Sequence, residues 1–515
     1  MARTAQSPDI PSLGPLDRAA GQLSRQLAQA LRDAIRRGDL RPGEPLPASR
    51  QLAAALGLAR GTVIEAFEQL VAEGFLVARG RTGTWVAPAL STPGEGALGV
   101  LSTGNTKSSV VASVPTASPG ALLPRRLPAP AAIFAAVAAD FEPLLPIPFA
   151  VSVPGGPTLP DAAWRRLGNR LRARGAAAPS GYGDTRGVGP LREAIADYVR
   201  RSRSVRCDAA QVIVTTGTQQ GLYLACQVLL DASDRAWIEN PAYRGITAIL
   251  ESTGRRDAIV RVPVDAEGLD VDAGRRLAPH ARAAFVTPSH QYPLGMPLSV
   301  GRREALLDWA RTHDAWIVED DYDSELRYAG HPFPAMQGLD PARVVYLGTF
   351  SKILFPSLRL GYAIVPPDLV AAFRGARVLM DRHPPEADQH VLAAFMGEGH
   401  LDRHIRRVRG VYAARRARLI ETLDAALPPE LAWREPSDQG MHLVLWLAAG
   451  FDDRRVAAQA LAAGVAVRPV SPMYAPGTAR PGLVLGFGGF DDARMEAAAR
   501  TLAAVIVAVG REGAV

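Results

Sequence analysis

Lysine is almost missing from this sequence. Of 58 basic residues only Lys107 and Lys352 are lysines, and the other 56 are arginines. Cysteine is as scarce. Cys207 and Cys226 have no metal-type spacing, and two thiols in 515 residues do not form a secreted disulfide framework. No apolar run reaches the length of a membrane span, no signal-peptide core opens the chain, and no repeat recurs at a solenoid period. A cytoplasmic protein with no membrane partner and no metal is the expectation. Hydrophobic residues at 48% and charged residues at 21% exclude wholesale disorder. The net charge of +7 is thin over this length, so it permits a nucleic-acid partner without demanding one.

What is present falls into three zones. Residues 16–87 are dense in short helical patterns. Residues 88–145 are rich in Ala, Pro, Ser, Thr and Gly, the composition of a linker, with a short helix predicted at 131–141. Residues 146–512 alternate strand-like apolar runs with helical stretches. That alternation predicts a large α/β domain with a mostly parallel sheet.

In the first zone Leu23, Leu27, Leu31 and Ile35 mark one face of a helix that Gly38 stops. Ser49 is placed to cap a second helix over 50–56, broken at Gly57. A third helix is predicted over 61–73, with Val63, Phe67, Leu70 and Val71 inward and Gly74 beyond its end. Strands at 75–79 and 84–87 flank Gly80-Arg81-Thr82-Gly83, a hairpin signal. Three helices and a basic hairpin make a winged helix-turn-helix. Such a pair sends its second helix into the major groove N-terminal end first. That end carries Arg60, Gly61 and Thr62. Arg50 opens the preceding helix, and Arg79 and Arg81 flank the wing tip.

These blocks have a family order and spacing. Residues 46–53 (LPASRQLA), 58–63 (LARGTV), 73–75 (EGF) and 81–84 (RTGT) closely resemble the GntR-type DNA-binding domain. The resemblance implies that Arg50, Arg60, Thr62 and the wing glycine Gly83 contact double-stranded operator DNA.

Three patterns in the third zone carry chemistry. The apolar strand 212–214 runs into Thr215-Thr216-Gly217-Thr218-Gln219 and then a helix, the form of an anion site at a helix N-terminus. The strand at 315–318 ends in Glu319-Asp320-Asp321-Tyr322, and ligands in open α/β sheets sit at the carboxyl ends of strands. Acids there bind a metal, neutralise a cationic cofactor, or cap the loop. No nearby histidine pattern completes a metal site. The strand at 344–348 ends in Thr349-Phe350-Ser351-Lys352. A lysine beside two hydroxyl residues fits an amine presented to a carbonyl, since lysine forms Schiff bases.

Together these patterns resemble the fold-type I pyridoxal 5'-phosphate (PLP) enzymes of the class I aminotransferase group. Residues 181–184 (GYGD), 187–192 (GVGPLR), 239–243 (ENPAY) and 287–295 (TPSHQYPLG) match further blocks. The resemblance implies that Lys352 carries the PLP Schiff base. Asp320 pairs with the pyridinium nitrogen, Tyr322 bonds the ring's phenolic oxygen, and Tyr243 stacks on the ring. Gly217, Thr218 and Gln219 cradle the phosphate, closed by Thr349, Ser351 and Arg359. Tyr182 reaches the phosphate across a dimer interface. Two positions depart from the pattern. Tyr292 stands where the enzymes have asparagine, leaving His290 and Gln291 as candidates to bond the ring oxygen. The C-terminal strand 482–487 lacks the arginine that holds a substrate carboxylate, leaving Arg468 and Arg480 as candidates.

A winged helix, a linker and an aminotransferase-like domain in one chain resemble the MocR-type transcriptional regulators, in which head-to-tail homodimers form. The resemblance implies a PLP-dependent regulator that senses PLP, an amine or an amino acid through an external aldimine. An active aminotransferase with a DNA-binding appendage and a cofactor-free dimerisation scaffold are the alternatives.

Overall fold

The computed structural model describes residues 13–80, 83–88, 128–141, 145–154, 160–175 and 181–512. The chain divides into two compact units, Met1–Ala121 and Leu122–Val515. Arg81, predicted at the wing tip, and Lys107 lie outside the described residues.

In the first unit helix α1 spans Leu23–Arg37, α2 Ser49–Leu56 and α3 Arg60–Ala72. Strands β1 (Leu76–Ala78) and β2 (Thr84–Val86) pair antiparallel, Leu76 opposite Val86. The core is the meeting of the three apolar helix faces: Leu27, Leu31, Ile35, Leu52, Val63, Phe67 and Leu70 are buried with Leu76 and Val86. Gly38 and Gly57 end α1 and α2 in the left-handed conformation that glycine takes without a side-chain clash. An ion pair between Arg32 and Glu73, at 2.6 Å, ties α1 to the end of α3.

Two local expectations are corrected. Ser49 is the first helical residue and not the cap. The cap is Ala48, whose N–H donates to the Gln51 side chain at 3.3 Å. Val71 does not face inward and is 38% exposed. Ala66 joins Val63, Phe67 and Leu70 on the buried face, which puts Val71 roughly 90° from its centre at about 100° per residue.

The second unit is built on an eight-stranded sheet. Its strands are β3 (Val212–Thr215), β4 (Ala236–Asn240), β5 (Ile259–Asp265), β6 (Gly268–Leu269), β7 (Ala283–Val286), β8 (Trp316–Asp321), β9 (Val344–Thr349) and β10 (Gly361–Ile364). They lie in the order β3-β10-β9-β8-β7-β4-β5-β6. The run β9-β8-β7-β4-β5 is parallel, while β10 pairs antiparallel with both β9 and β3. All six residues of β8 and of β9 are buried, as expected of central strands covered on both faces. Close packing at the β9–β10 seam needs glycine: a Cβ on Gly348 would sit 2.3 Å from the Tyr362 ring, and one on Gly361 2.8 Å from the Gly348 carbonyl.

A second, antiparallel sheet holds β11 (Ala432–Trp433), β12 (His442–Leu447), β13 (Arg468–Pro469) and β14 (Gly482–Gly486), in the order β11-β12-β14-β13. Helices His400–Ala426 and Asp492–Glu512 pack together beside it around Tyr412, Leu419, Leu443, Leu485 and Leu502. The short helix expected near residue 131 spans Ala129–Asp140 and packs against helix Arg244–Ser252 of the same unit. Among the described residues no helix is long and apolar enough to cross a membrane.

Candidate functional site

A cavity of about 350 Å³ opens where the parallel strands end. Thr218 follows β3, Tyr243 follows β4, Thr287 follows β7, Asp320 is the penultimate residue of β8, and Lys352 lies just past β9. Five strand ends therefore converge on one edge of the sheet, the edge where open α/β sheets bind ligands. Phe141, Val151, Ser152, Tyr292, Tyr322 and Arg468 complete the wall.

Strand alternation sorts the acid run on β8. Successive side chains point to opposite faces. Glu319 turns away and accepts the N–H groups of Met336 and Gln337, at 3.0 and 3.1 Å. Asp321 also turns away, into a fully buried pair with Arg203 at 2.8 Å, and accepts the Tyr346 hydroxyl at 2.6 Å. Asp320 alone faces the cavity. Burial pushes its carboxyl up to about 7; Asp321 adds to the rise and Lys352 opposes it. Its Oδ1 is buried with no hydrogen-bond partner.

Lys352 faces the same space. Enclosure lowers its ammonium pKa to about 8. Asp323 and Asp320 pull it up, while Arg359 and Arg468 push it further down. A larger neutral fraction near neutrality makes it a better nucleophile toward a carbonyl.

The loop after β3 forms an anion cradle. Gly217 precedes helix Thr218–Leu229 with φ of +106°, a conformation that L side chains rarely adopt. A Cβ there would lie 3.2 Å from the Arg359 guanidinium. Arg359 is thus aimed at a helix N-terminus, where orphan N–H groups favour negative charge. Ser351 Oγ is buried without a partner, and Thr349 Oγ1 accepts the Ser351 N–H at 3.2 Å. Gln219 is partly committed, since its Oε1 accepts the Tyr243 hydroxyl at 3.1 Å.

Tyr322 lines the cavity and its hydroxyl meets His290 Nδ1 at 3.1 Å, the ring nitrogen that also faces Asp323 at 3.0 Å. Tyr243 stands edge-on to Tyr292, with centroids 5.8 Å apart. Neither His290 nor Gln291 has its side chain in the cavity wall. Gln291 spends its amide on Glu239 and on the carbonyls of Pro241 and Tyr292. Tyr292 itself is in the wall, at the position that departs from the asparagine of the enzymes. Of the two candidate arginines, Arg468 is in the wall. Arg480 instead lies over the Trp446 ring at 3.9 Å and within 4.0 Å of Glu435.

Tyr182 is not brought to this cavity. It is 79% exposed, with the Arg382 guanidinium 4.2 Å over its ring. Sequence reasoning also misses Phe141, Val151, Ser152 and Thr287. Thr287 lies inside a motif block, whereas nothing local marks Val151 or Ser152. Phe141, edge-on to Tyr243 at 6.5 Å, follows the short helix placed in the linker.

On the first unit, Arg60, Gly61 and Thr62 form the opening turn of α3, and Arg60 and Gly61 are exposed. Arg50 is exposed in the first turn of α2. Arg79 is exposed at the end of β1, 5.2 Å over the Trp85 ring. Gly83 takes φ of +99° in the turn before β2. Arg50, Arg60 and Arg79 thus place exposed cations at two helix starts and at the wing.

The family model described as aminotransferase class I and II matches residues 149–502, and that for bacterial regulatory proteins of the gntR family matches residues 23–86. The probable rhizopine catabolism regulatory protein MocR of Rhizobium meliloti is 36% identical over 501 residues, covering 97% of each chain. The chain belongs to the MocR-type transcriptional regulators. Another member, the pyridoxine biosynthesis transcriptional regulator PdxR of Corynebacterium glutamicum, is 33% identical and covers 91% of this chain and 92% of its own. Among solved structures, the α-aminoadipate aminotransferase LysN of Thermus thermophilus, complexed with N-(5'-phosphopyridoxyl)-L-leucine, is similar to the large unit of this MocR-type chain. Its TM-score is 0.66 at 27% identity, over 71% of this chain and 94% of that one.

Proposed function

We propose that this regulator binds PLP in the cavity and senses PLP, an amine or an amino acid there. The domain limits of that reading are a DNA-binding domain at 16–87, a linker at 88–145 and a PLP-binding domain at 146–512. The observation that carries it is Asp320, a buried acid that lines the same cavity as Lys352 and whose Oδ1 has no hydrogen-bond partner. A buried acid costs free energy unless something pairs with it, and a cationic ring nitrogen fits that need. The Gly217–Arg359 cradle fits a dianion, which arginine holds bidentately. When bound, PLP supplies a carbonyl that condenses with primary amines. Lys352 provides the chain's amine, Asp320 the counter-charge, Tyr322 a hydroxyl in the wall, and Tyr243 an aromatic face. Thr218, Gln219, Thr349 and Ser351 surround the anion cradle.

The DNA reading rests on Arg50, Arg60, Gly61, Thr62, Arg79 and Gly83 at element starts and the wing of the first unit, with operator DNA as partner. A homodimer accounts for the exposure of the Tyr182 ring and of Leu379, which is 90% exposed. A ligand regulates only by binding two arrangements with different affinity.

The test is optical. Purified protein with PLP shows a visible absorbance band that Lys352→Ala lacks; no band in the wild type overturns the proposal. Footprints upstream of the protein's own gene, with and without PLP and candidate amines, test the sensing. A footprint that none of them changes removes it. Slow transamination is the second reading, favoured by the reactive set around Lys352, and turnover of amino acids with a keto-acid acceptor decides it.

A further inference from the structure

We propose that His290 and Asp323 act together as positioning residues behind Tyr322: they turn its O–H hydrogen out into the cavity, as a fixed donor to the phenolic oxygen of the cofactor ring. The inference rests on the reading that the cavity holds PLP.

Both side chains are buried and stand outside the cavity wall. The two carboxyl oxygens of Asp323 each lie 3.0 Å from His290 Nδ1, and the Tyr322 hydroxyl lies 3.1 Å from the same nitrogen. One ring nitrogen cannot serve both neighbours in the same way. A carboxylate only accepts, so the hydrogen on Nδ1 belongs to the contact with Asp323. A nitrogen that holds its hydrogen has no lone pair to offer. Tyr322 therefore meets it with its oxygen and not with its O–H. Among the described residues that hydroxyl makes no other hydrogen bond. Its hydrogen is left to the open side, and Tyr322 lines the cavity.

The imidazole has little freedom to do otherwise. A Cβ on Gly440 would run into its Cε1, and one on Gly295 would sit 3.2 Å from its Nε2, so two backbone segments press on the ring. His442 lies against it with centroids 5.0 Å apart, held by its own Nε2, which donates to the Pro293 carbonyl at 2.9 Å. Burial, with His290 next, lowers the His442 pKa to about 4, so it brings no charge near neutrality. The hydrogen also stays on the phenol. Burial first, then Asp323, Tyr292, Asp320 and Glu239, push the Tyr322 pKa well above its ordinary value. Lys352 and Arg468 are the cations in the same wall. Of the two residues that sequence leaves as replacements for the missing asparagine, His290 thus acts through Tyr322 and not at the ring itself.

The experiment uses the full-length protein loaded with PLP and reads the pH at which its visible band is half converted. A donor on the ring oxygen draws off negative charge that otherwise holds the proton on the nearby lysine-bound nitrogen, so it lowers that midpoint. Tyr322→Phe should raise the midpoint by about one to two pH units. Asp323→Asn should raise it as well, although Tyr322 is intact. The new amide donates to Nδ1, which then offers a lone pair and draws the Tyr322 O–H away from the ring. Loss of the Asp323 charge alone has the opposite sign, since a nearby anion favours the protonated form. In the Tyr322→Phe background Asp323→Asn should therefore lower the midpoint or leave it. His290→Asn puts an amide nitrogen near the place of Nδ1 and should keep the wild-type midpoint. A midpoint that falls or stays in Asp323→Asn alone, a rise that persists without the hydroxyl, or a His290→Asn midpoint equal to that of Tyr322→Phe overturns the proposal. If Asp323→Asn does not fold, His290→Asn and His290→Leu carry the test. The second frees the hydroxyl to turn to Asp323 and should raise the midpoint; equal midpoints overturn the proposal. A wild type with no band strikes the underlying reading instead.

Discussion

The winged helix and the cavity of the large unit both carry cationic side chains, and they hold them in opposite ways. Arg50 and Arg60 stand exposed on the first turns of two helices, on a scaffold whose core is a handful of leucines and valines. Lys352 and Arg359, from the connection between β9 and β10, and Arg468, from β13, are gathered into one enclosed region with Asp320 and Asp323 close by. Exposed cations keep their water and act on a partner through long-range attraction that salt screens. Enclosed cations lose their water, so each one's protonation depends on its neighbours. The first design needs only the right residue at the right helix turn. The second needs the whole sheet.

The neighbouring carboxylates of β8 divide the enclosed region further. Asp321 spends its Oδ2 on Arg203 and Tyr346 away from the cavity, whereas Asp320 lines the cavity beside Lys352; each keeps a buried Oδ1 without a partner. Asp321→Ala strands the buried Arg203 guanidinium and should cost about 3–5 kcal/mol of stability, read from denaturant unfolding. A loss below about 1 kcal/mol would show that the pair is hydrated and the contrast with the surface wrong.

Asp320 gives the next largest effect, through pH. Its carboxyl is raised from the ordinary 3.8 to about 7, so the folded chain holds a proton that the unfolded chain releases. Its favourable contribution is complete below about pH 4 and is lost as pH rises through about 7. Cofactor-free wild-type protein should therefore lose stability relative to Asp320→Asn across that window, by on the order of 2–4 kcal/mol. Parallel unfolding curves for the two proteins at pH 5 and pH 8 check this; a constant difference would mean that Asp320 is solvated.

On the surface the expected effects are smaller and of another kind. Arg60→Ala should weaken specific operator binding by about 1–3 kcal/mol in gel-shift titrations and leave the cofactor spectrum unchanged. An altered spectrum would break the separation between the two regions. Smallest is Ser49→Ala. Because Ser49 makes no capping bond, its replacement should change stability by less than about 0.5 kcal/mol, against about 1 kcal/mol for a true cap. Thermal unfolding of the two proteins distinguishes the values.

Much of the site is legible in the sequence itself. Lys352, Asp320, Gly217 and Tyr243 each follow or end an apolar strand, and local pattern is enough to place a strand end. Arg60 and Gly83 are legible for the same reason, as a helix start and a tight turn. The misses are instructive. Apolar pattern alone misplaces Val71, because it does not show that small Ala66 completes the buried face. It leaves the choice between Arg468 and Arg480 open, since the two are similar in sequence context; only the register of β13 on β14 and the tryptophans under Arg480 separate them. Phe141 gives no signal, since a residue in a Pro/Ala-rich stretch acquires a role only when its helix packs on another.

The scarcity of lysine gains its meaning at that point. Sequence alone determined the two-part architecture, the family and the placing of Lys352 just past the end of an apolar strand, because each depends on short-range periodicity and residue chemistry. Tertiary structure decided which acid of β8 faces the cavity, which arginine reaches it and which tyrosines wall it. Those outcomes depend on strand register and on the burial of charge, and both are set by contacts between residues far apart in the chain.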